Sequence, residues 1–482
     1  MSEPPSGRVT GSRRASRAVE EYVGSLGLDA YVVGGAVRDR LLERDSKDAD
    51  FLVPGVDIEE LRAALRPHGR ADELVVATRP VGVRFYPRDA TVRKLVPSGI
   101  EFAPLRREVS TGPGRHDFDI VVDPDASVAE DLRRRDFTIN AIARRIADGT
   151  IVDPYGGRAD LERRTLRTVT PNSFAEDPLR LVRGLRFVSQ LDFDLDEETL
   201  AQMREEAPSV KHVSGERIGG GLAADGMGEL SKLLMGAHPA KALRLARDTG
   251  VLVELLPEFA GAVGFDQESR YHDMTVDGHT FAVVQAAADD GAPLRVRLAA
   301  LFHDLGKPQV AWRGNDNRLH YYAKPGYAAQ SHEQVSAQLA DAALARLRYP
   351  TDLRRRVVRI VRGHMLDPGN ADAVRARRLL QRYGVGLTFD LLDHKRADLL
   401  GKGPANERDL KRLQAFREVV EQQRSSAHRL HDLAVDGDDL IAIGYERGPV
   451  IGSTLRTLLD EVVRRPELNT REQLLARAGE LR

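Results

Sequence analysis

Near residue 160 the hydrophobic periodicity of the chain changes, and this limits the folds open to it. Before that point DAYVVGGAVRD, Asp50–Val53, LVVATRPVGVRF, TVRKLV and GIEFAPL have the β-branched content and apolar alternation of strands, preceded by a helical pattern over residues 17–26. After it LRLVRGLRFVSQL, ALRLARDTGVLVELL, VRLAALFHDLG and LRRRVVRIVRGHM carry apolar residues at helical spacing. The expected class is α+β, a mixed α/β head with a sheet followed by nearly all-helical segments. A chain of 482 residues is too long for one core. Residues 1–16 are polar and expected to be disordered, 17–150 to form the head, 151–262 a helical neck, 263–425 a second helical domain and 426–482 a helical tail. Linkers are expected at 261–263 and 266–273, and a hinge at 424–428.

Composition removes several function classes. No run of about 18 apolar residues exists to span a membrane, and the N-terminus lacks the apolar segment of a secretory signal. With no cysteine, disulfides, zinc ribbons and thiol chemistry are excluded, and a cytoplasmic protein is expected. The net charge of −1 means that any nucleic-acid surface must be local. Arg346, Arg348, Arg354, Arg355, Arg356, Arg359 and Arg362 form one basic cluster, and residues 133–145 form another. Either can follow RNA phosphates; the plainer alternative is a solvated helix face paired with acids.

The head carries the first chemical constellation. Gly34, Gly35, Arg38 and Asp39 precede Asp48 and Asp50. Carboxylates at i and i+2 of a strand share one face about 7 Å apart, which suits Mg²⁺ held together with substrate phosphates. The paired glycines let backbone N–H groups approach a triphosphate. Standing alone, such a pair would be an ordinary surface feature. It is followed by RRRDFTINAIA, where Arg134, Arg135, Asp136 and Asn140 can hold a triphosphate and a ribose. Next come DPYGGRADL and EDPLRLVRGLRF, the latter with Glu176, Asp177, Arg180 and Arg183.

These four segments, in this order, resemble the class II tRNA nucleotidyltransferase and bacterial poly(A) polymerase family over roughly residues 30–260. The tail LAVDGDDLIAIG…GPVIGSTLRTLL…NTREQLL resembles the C-terminus of its CCA-adding members. The resemblance implies a polymerase-β-like head, metal ligands at Asp48 and Asp50, and nucleotide contacts from Arg134, Arg135, Asp136 and Asn140. It also implies that Glu176, Asp177 and Arg180 act as an amino-acid template for the incoming base. Asp177 and Arg180, three apart, would share one helix face, with Glu176 orienting Arg180. A carboxylate and a guanidinium match the amino group and unprotonated ring nitrogen that cytosine and adenine share, and oppose uracil and guanine. The plainer alternative is an intrahelical salt bridge.

Glu101 is the best match to a third head carboxylate, and RREVSTGPGRHDF resembles the mobile loop of complete CCA-adders. In VSGERIGGGLAADGMGELSKLL a Gly-rich stretch follows Glu216 and Arg217 where a plain helix is expected.

The second constellation is His279, His303 with Asp304, His332, His364 and Asp398. It resembles the two-metal members of the HD phosphohydrolase superfamily over roughly 270–400, although Gly278 stands where that family more often has an acid. Imidazole and carboxylate ligands suit Mn²⁺, Ni²⁺, Co²⁺ or Fe, or Mg²⁺, and Lys307 is placed to support a phosphate. RNA phosphoryl ends, including 2′,3′-cyclic phosphates, are the implied substrates.

The expectation is therefore Mg²⁺-dependent transfer from CTP and ATP to tRNA, a hydrolytic second centre, no membrane and no obligate protein partner. Two rivals stay open: a poly(A) polymerase or partial (CC- or A-) adder, and a hydrolase whose head only binds RNA.

Overall fold

The computed structural model describes residues 11–45, 50–76, 79–110, 118–220, 227–268, 274–403 and 406–482, with backbone alone at 11–14, 76, 79, 108–110 and 118–120. The chain separates into two compact units, Met1–Val213 with Asp248–Glu254, and Ser214–Arg247 with Leu255–Arg482.

The first unit is built on a seven-stranded sheet of order β3-β4-β5-β2-β1-β8-β9. Its strands are β1 (Tyr31–Val33), β2 (Asp50–Val53), β3 (Gly69–Val76), β4 (Arg79–Pro87), β5 (Ile100–Pro104), β8 (Ala143–Arg145) and β9 (Ile151–Val152). β2 and β5 run parallel, and β6 (Arg106–Ser110) and β7 (Phe118–Val122) form a separate antiparallel ribbon. Helices α1 (Gly11–Gly24), α2 (Gly35–Leu41), α3 (Ile58–Leu65), α4 (Ala90–Leu95) and α5 (Val128–Arg133) accompany these strands. Then come α6 (Gly157–Arg163), α7 (Ser173–Glu176), α8 (Leu179–Leu191) and α9 (Glu197–Glu206).

Strand alternation sorts the two faces of the sheet. Phe51 stacks on Phe102 at 5.3 Å, and Phe102 meets Phe85 edge-on at 6.1 Å. Val33 and Leu52 pack instead with Leu105, Leu132, Ala141 and Ala143. Asp50, two residues from Leu52, points to this second side at the start of β2.

Two local expectations in the head are corrected. TVRKLV lies in helix α4 and not in a strand, because the Asp89 side chain caps the helix by accepting from the amides of Thr91 and Val92 at 2.8 and 3.0 Å. Residues 11–16, expected to be disordered, open helix α1, whose Val19 and Val23 are buried in the core.

The rest of the chain is helical: α10 (Glu229–Leu234), α11 (Pro239–Asp248), α12 (Val251–Leu255), α13 (Val276–Asp289), α14 (Leu294–Phe302), α15 (Lys307–Val310) and α16 (His332–Arg346). α17 (Thr351–Gly363), α18 (Ala373–Gly401), α19 (Glu407–Gln422), α20 (Gly437–Ala442), α21 (Pro449–Arg464) and α22 (Arg471–Leu481) complete it. α18 bends at Gly384, whose φ of 72° breaks the helical run. The last three helices share a small core of Leu440, Leu458, Leu459, Val462, Val463 and Leu474.

The Gly-rich stretch has a packing cause. Residues Glu216–Gly220 form a π-type turn, and the Gly220 amide donates to the Leu347 carbonyl at 3.2 Å. A Cβ at Gly219 would lie 2.6 Å from that carbonyl oxygen and 2.5 Å from the Tyr349 ring, so only glycine allows this approach. Residues 221–226 lie outside the described set. Of the linkers expected at 261–263 and 266–273, residues 269–273 lie outside the described set; Ala262 and Gln267 are buried, the residues around them are largely exposed, and Asp266 bridges to Thr275. The boundary expected between 262 and 263 thus falls within the second unit.

Candidate active sites

In the head, β1 leads into Gly34, whose φ of 70° turns the chain into α2. A Cβ at Gly34 would sit 2.7 Å from the Arg135 guanidinium, so this glycine lets a cation lie directly against the turn. Asp50 pairs in register with Val33 on β1 and with Glu101 on β5, and Glu101 pairs with Arg84 on β4. Register partners share a face, so Asp50 and Glu101 form an adjacent carboxylate pair. The Arg84 guanidinium donates to Glu101 at 2.5 Å. Asp48 lies outside the described residues, as does the 111–117 part of the expected mobile loop.

Beside Asp50 sits a cluster of arginines. Asp131 is fully buried and accepts from Arg134 at 3.0 and 3.2 Å, with Arg135 and Arg106 at 3.9 and 4.0 Å. Burial pushes the Arg135 guanidinium down and Arg106 to about 10, the latter helped by the Arg134 charge. Three cations around one buried carboxylate leave a local excess of positive charge, the character an incoming polyphosphate needs.

Asp136 anchors the next layer. It accepts from the Phe137 amide (2.8 Å), Asn140 Nδ2 (3.0 Å) and Arg183 Nε (2.8 Å). Burial works against its charge, but Arg183, Asn140 and the Phe137 amide outweigh it and hold the carboxyl well below the usual range. Arg38 donates to Asn140 Oδ1 at 2.9 Å, which ties α2 to the same network. Phe137 packs edge-on to Phe174 and Phe187 beneath it.

Glu176, Asp177 and Arg180 do not lie on one helix. α7 ends at Glu176, Asp177 is extended (φ −140°, ψ 100°), and Pro178 caps α8. The shared helix face expected for Asp177 and Arg180 is therefore corrected, because Pro178 forces the residue before it out of the helical region. Glu176 does pair with Arg180 at 2.9 Å, and Arg180 also reaches the carbonyls of Ser173 (3.2 Å) and Arg134 (2.7 Å). In DPYGGRADL, Asp153 accepts from the amides of Gly157 and Arg158, and Asp160 from Thr138 and Arg167. That motif buttresses Thr138–Asn140.

In the second unit six ligand-type side chains converge and are buried. They fall into two triads, His279, His303 and Asp398, and Asp304, His332 and His364. Asp304 Oδ2 lies 3.2 Å from His303 Nε2 and 3.6 Å from His279 Nε2. Its Oδ1 lies 3.5 and 3.7 Å from Nε2 of His332 and His364. One carboxylate thus faces both triads. His303 and His364 donate from Nδ1 to the Ala300 and Val361 carbonyls at 2.8 and 2.7 Å, which leaves Nε2 with its lone pair toward the centre.

Burial pushes His279 and His332 down to about 4, against the nearby carboxylates. Burial would raise Asp304, but His303 and Lys307 outweigh it and hold it well below the usual carboxylate range. Neutral imidazoles and ionised carboxylates are the forms that bind metal, so the donor set fits a pair of divalent ions.

Three family models match in chain order. They are the poly A polymerase head domain over residues 30–167, the probable RNA and SrmB-binding site of polymerase A over 192–262, and the HD domain over 276–415. A multifunctional CCA protein of Azoarcus sp. (strain BH72) is 40% identical over 338 residues, 69% of this chain and 73% of that protein. The chain belongs to the family of multifunctional CCA proteins. A second member, from Dechloromonas aromatica (strain RCB), is 38% identical and covers 68% of this chain and 71% of its own. The fold is that of the Bacillus stearothermophilus CCA-adding enzyme in complex with CTP, at a TM-score of 0.67 and 24% identity over 98% of each chain. The Thermotoga maritima CCA-adding enzyme complexed with tRNA has the same fold, at 0.57 and 19% over 96% of this chain and 95% of that one.

The chain is therefore a nucleotidyltransferase carrying an HD domain, and both modules belong to metal-dependent families. Gly278, noted as a departure, donates its amide to the capping Thr275 Oγ1, while the neighbouring Asp277 pairs with Arg247 at 3.0 Å. Lys307 contacts Asp304 Oδ2 at 2.6 Å. Sequence reasoning missed Lys395 and Lys402, which hold Asp398 Oδ2 at 3.1 and 2.8 Å, and Asp131 and Arg106 in the head. It also missed His394, fully buried one turn before Asp398, whose ring lies 5.2 Å from His303 and whose nitrogens have no hydrogen-bond partner among the described residues. The i, i+4 spacing to Asp398 was the available signal. In the first basic cluster Arg346, Arg354 and Arg356 are paired with Glu258, Asp341 and Asp390.

A pH dependence follows for the chain free of metal. His279 and His332 fall from 6.5 in the unfolded chain to about 4 when folded. Between those values the unfolded state binds more protons, so stability drops as pH falls from about 6.5 toward 4. Thermal unfolding should show Tm decreasing across that window after chelation. A Tm unchanged from pH 7 to pH 5 would contradict it.

Proposed function

We propose that this chain completes tRNA 3′ ends with C, C and A, transferring nucleotidyl groups from CTP and ATP in the head, and that its HD domain hydrolyses phosphate esters at RNA ends. The observation that carries the first part is the arginine cluster packed against Gly34 beside Asp50. Arg106, Arg134 and Arg135 receive the triphosphate, backed by the Gly34–Gly35 turn and by Arg38. Asp136 and Asn140, fixed by Arg183, bound the sugar pocket. Asp50, with Asp48, would hold Mg²⁺, and Glu101 lies in register to assist. The HD ligands would hold two Mn²⁺, Ni²⁺, Co²⁺, Fe or Mg²⁺ ions. Bound at either centre, such ions supply Lewis-acid activation of the attacking oxygen and of the phosphoryl group.

The protein's own groups do the rest. In the head the reaction joins the tRNA 3′-hydroxyl to the α-phosphorus and releases pyrophosphate, whose charge the arginines neutralise. At the HD centre Lys307, Lys395 and Lys402 steady phosphate oxygens. A tRNA substrate fits a cytoplasmic protein, and no described helix is long and apolar enough to cross a membrane.

Base selection is assigned to Asp177 with Arg180, the latter held by Glu176. Asp177→Asn keeps the side chain's shape but adds a donor, so uracil's carbonyl becomes acceptable. The ratio of kcat/KM for UTP over CTP should rise by about tenfold or more, in line with the ~1–3 kcal/mol carried by a paired base contact. A uniform slowing with an unchanged ratio would remove Asp177 from the template.

A further inference from the structure

Three hollows of the second unit share lining residues, and the HD centre occupies only the first. That one, about 530 Å³, contains His303, Asp304, His332, His364 and Asp398, with Lys307, Lys395 and Lys402 around them. Met365, on its edge, also lines a second hollow of about 390 Å³, which holds Arg362, Arg375, Arg378 and Arg382 with Glu333 and Asp367. Arg375 and Arg378 in turn line a third of about 340 Å³, with Asn370 and Asp372. Met365, which lines both the first hollow and the second, is 59% exposed.

Arg375, Arg378 and Arg382, at i, i+3 and i+7, lie along one face of α18 before its bend at Gly384, and Arg362 ends the neighbouring α17. All four are exposed. Arg362, Arg378 and Arg382 have no carboxylate within 4 Å among the described residues, and only Arg375 has one, Asp367 at 3.8 Å. On α17 itself Arg354 and Arg356 are paired with Asp341 and Asp390. Three guanidiniums without a carboxylate partner, beside the hollow of the HD centre, suit a polyanionic strand.

We propose that the HD centre takes the 3′ end of an RNA strand in preference to a free nucleotide, with the preceding phosphates lying along Arg362, Arg378, Arg382 and Arg375. This rests on the hydrolase reading above. In the reaction, water adds across one P–O bond of a terminal 2′,3′-cyclic phosphate and leaves a phosphomonoester and a free hydroxyl. The terminal phosphate occupies the metal hollow, and the neighbouring nucleotides cross Met365.

The test uses the full-length Mn²⁺-loaded protein and the double variant Arg378→Ala/Arg382→Ala, neither residue being a proposed metal ligand. Two substrates are compared, a nucleoside 2′,3′-cyclic phosphate and a tetraribonucleotide with the same end. The expected result is a tenfold or larger rise in KM for the tetranucleotide, with the mononucleotide unchanged and substantial recovery in Arg378→Lys/Arg382→Lys. The salt dependence of tetranucleotide binding should also become shallower, by about 0.7 in log–log slope per lost contact. Equal losses on both substrates, or none on either, would overturn the track. If the wild-type protein hydrolyses neither substrate, the hydrolase reading fails. Fluorescence anisotropy of the labelled tetranucleotide then decides the track separately: tenfold weaker binding by the Ala variant supports it, and equal binding refutes it.

Discussion

Asp304→Asn should abolish hydrolysis at the HD centre, by a factor on the order of 10³ or more, and leave CTP transfer to tRNA unchanged. Asp304 is the one ligand-type residue whose two oxygens face the two triads, at 3.2 and 3.6 Å on one side and 3.5 and 3.7 Å on the other. The amide keeps its volume but loses the charge, so both metal positions weaken together and bound metal per chain should fall from two toward zero. His364→Asn touches only one triad and should leave about one metal bound. The choice of amide matters. Asp304 is buried against Lys307, and an alanine would leave that ammonium with only the Gln267 side-chain oxygen at 2.7 Å and a void beside it, destabilising the domain. A variant that binds two metals yet is inactive, or that hydrolyses normally, would contradict the bridging assignment.

The reciprocal substitution, Asp50→Asn, should reduce nucleotidyl transfer by a comparable factor while hydrolysis continues. Asp50 begins β2 in register with Glu101 and acts electrostatically on Arg106 and Arg135. Its loss removes the charge that would position a divalent ion against the triphosphate, while the arginine cluster remains. CTP affinity should therefore change much less than turnover. Glu101→Gln should have a smaller effect, because Glu101 is already engaged by Arg84 at 2.5 Å. If Asp50→Asn removed both activities, the loss would be one of folding and not of a separate centre.

How far the sequence foretells such a molecule depends on the range of the interaction. The change of periodicity near residue 160 announces a sheet followed by helices, and the six HD-type ligands are recognisable because histidines and aspartates at those places have few other uses. Contacts between distant segments are less visible. TVRKLV alternates like a strand, yet Asp89 just before it supplies a helix cap that the apolar pattern does not show. Glu176 to Arg180 resembles one helix until Pro178 breaks it. Gly219 resembles an interruption until Leu347 and Tyr349, well over a hundred residues on, are placed against it. Asp131 carries no motif of its own, and His394 only its i, i+4 spacing to Asp398; the fold shows one beneath the arginine pair and the other beside the HD histidines.

Nucleotide-by-nucleotide extension tests the central claim most directly. tRNA transcripts ending at the discriminator base, after one added C, and after two are each incubated with Mg²⁺ and CTP, ATP, UTP or GTP alone. The account predicts that the first two transcripts accept only C, that the third accepts one A, and that extension then stops. Polymerisation of ATP onto any of the three, or onto unrelated RNA, would contradict it, and so would failure to extend any transcript while hydrolysis persists.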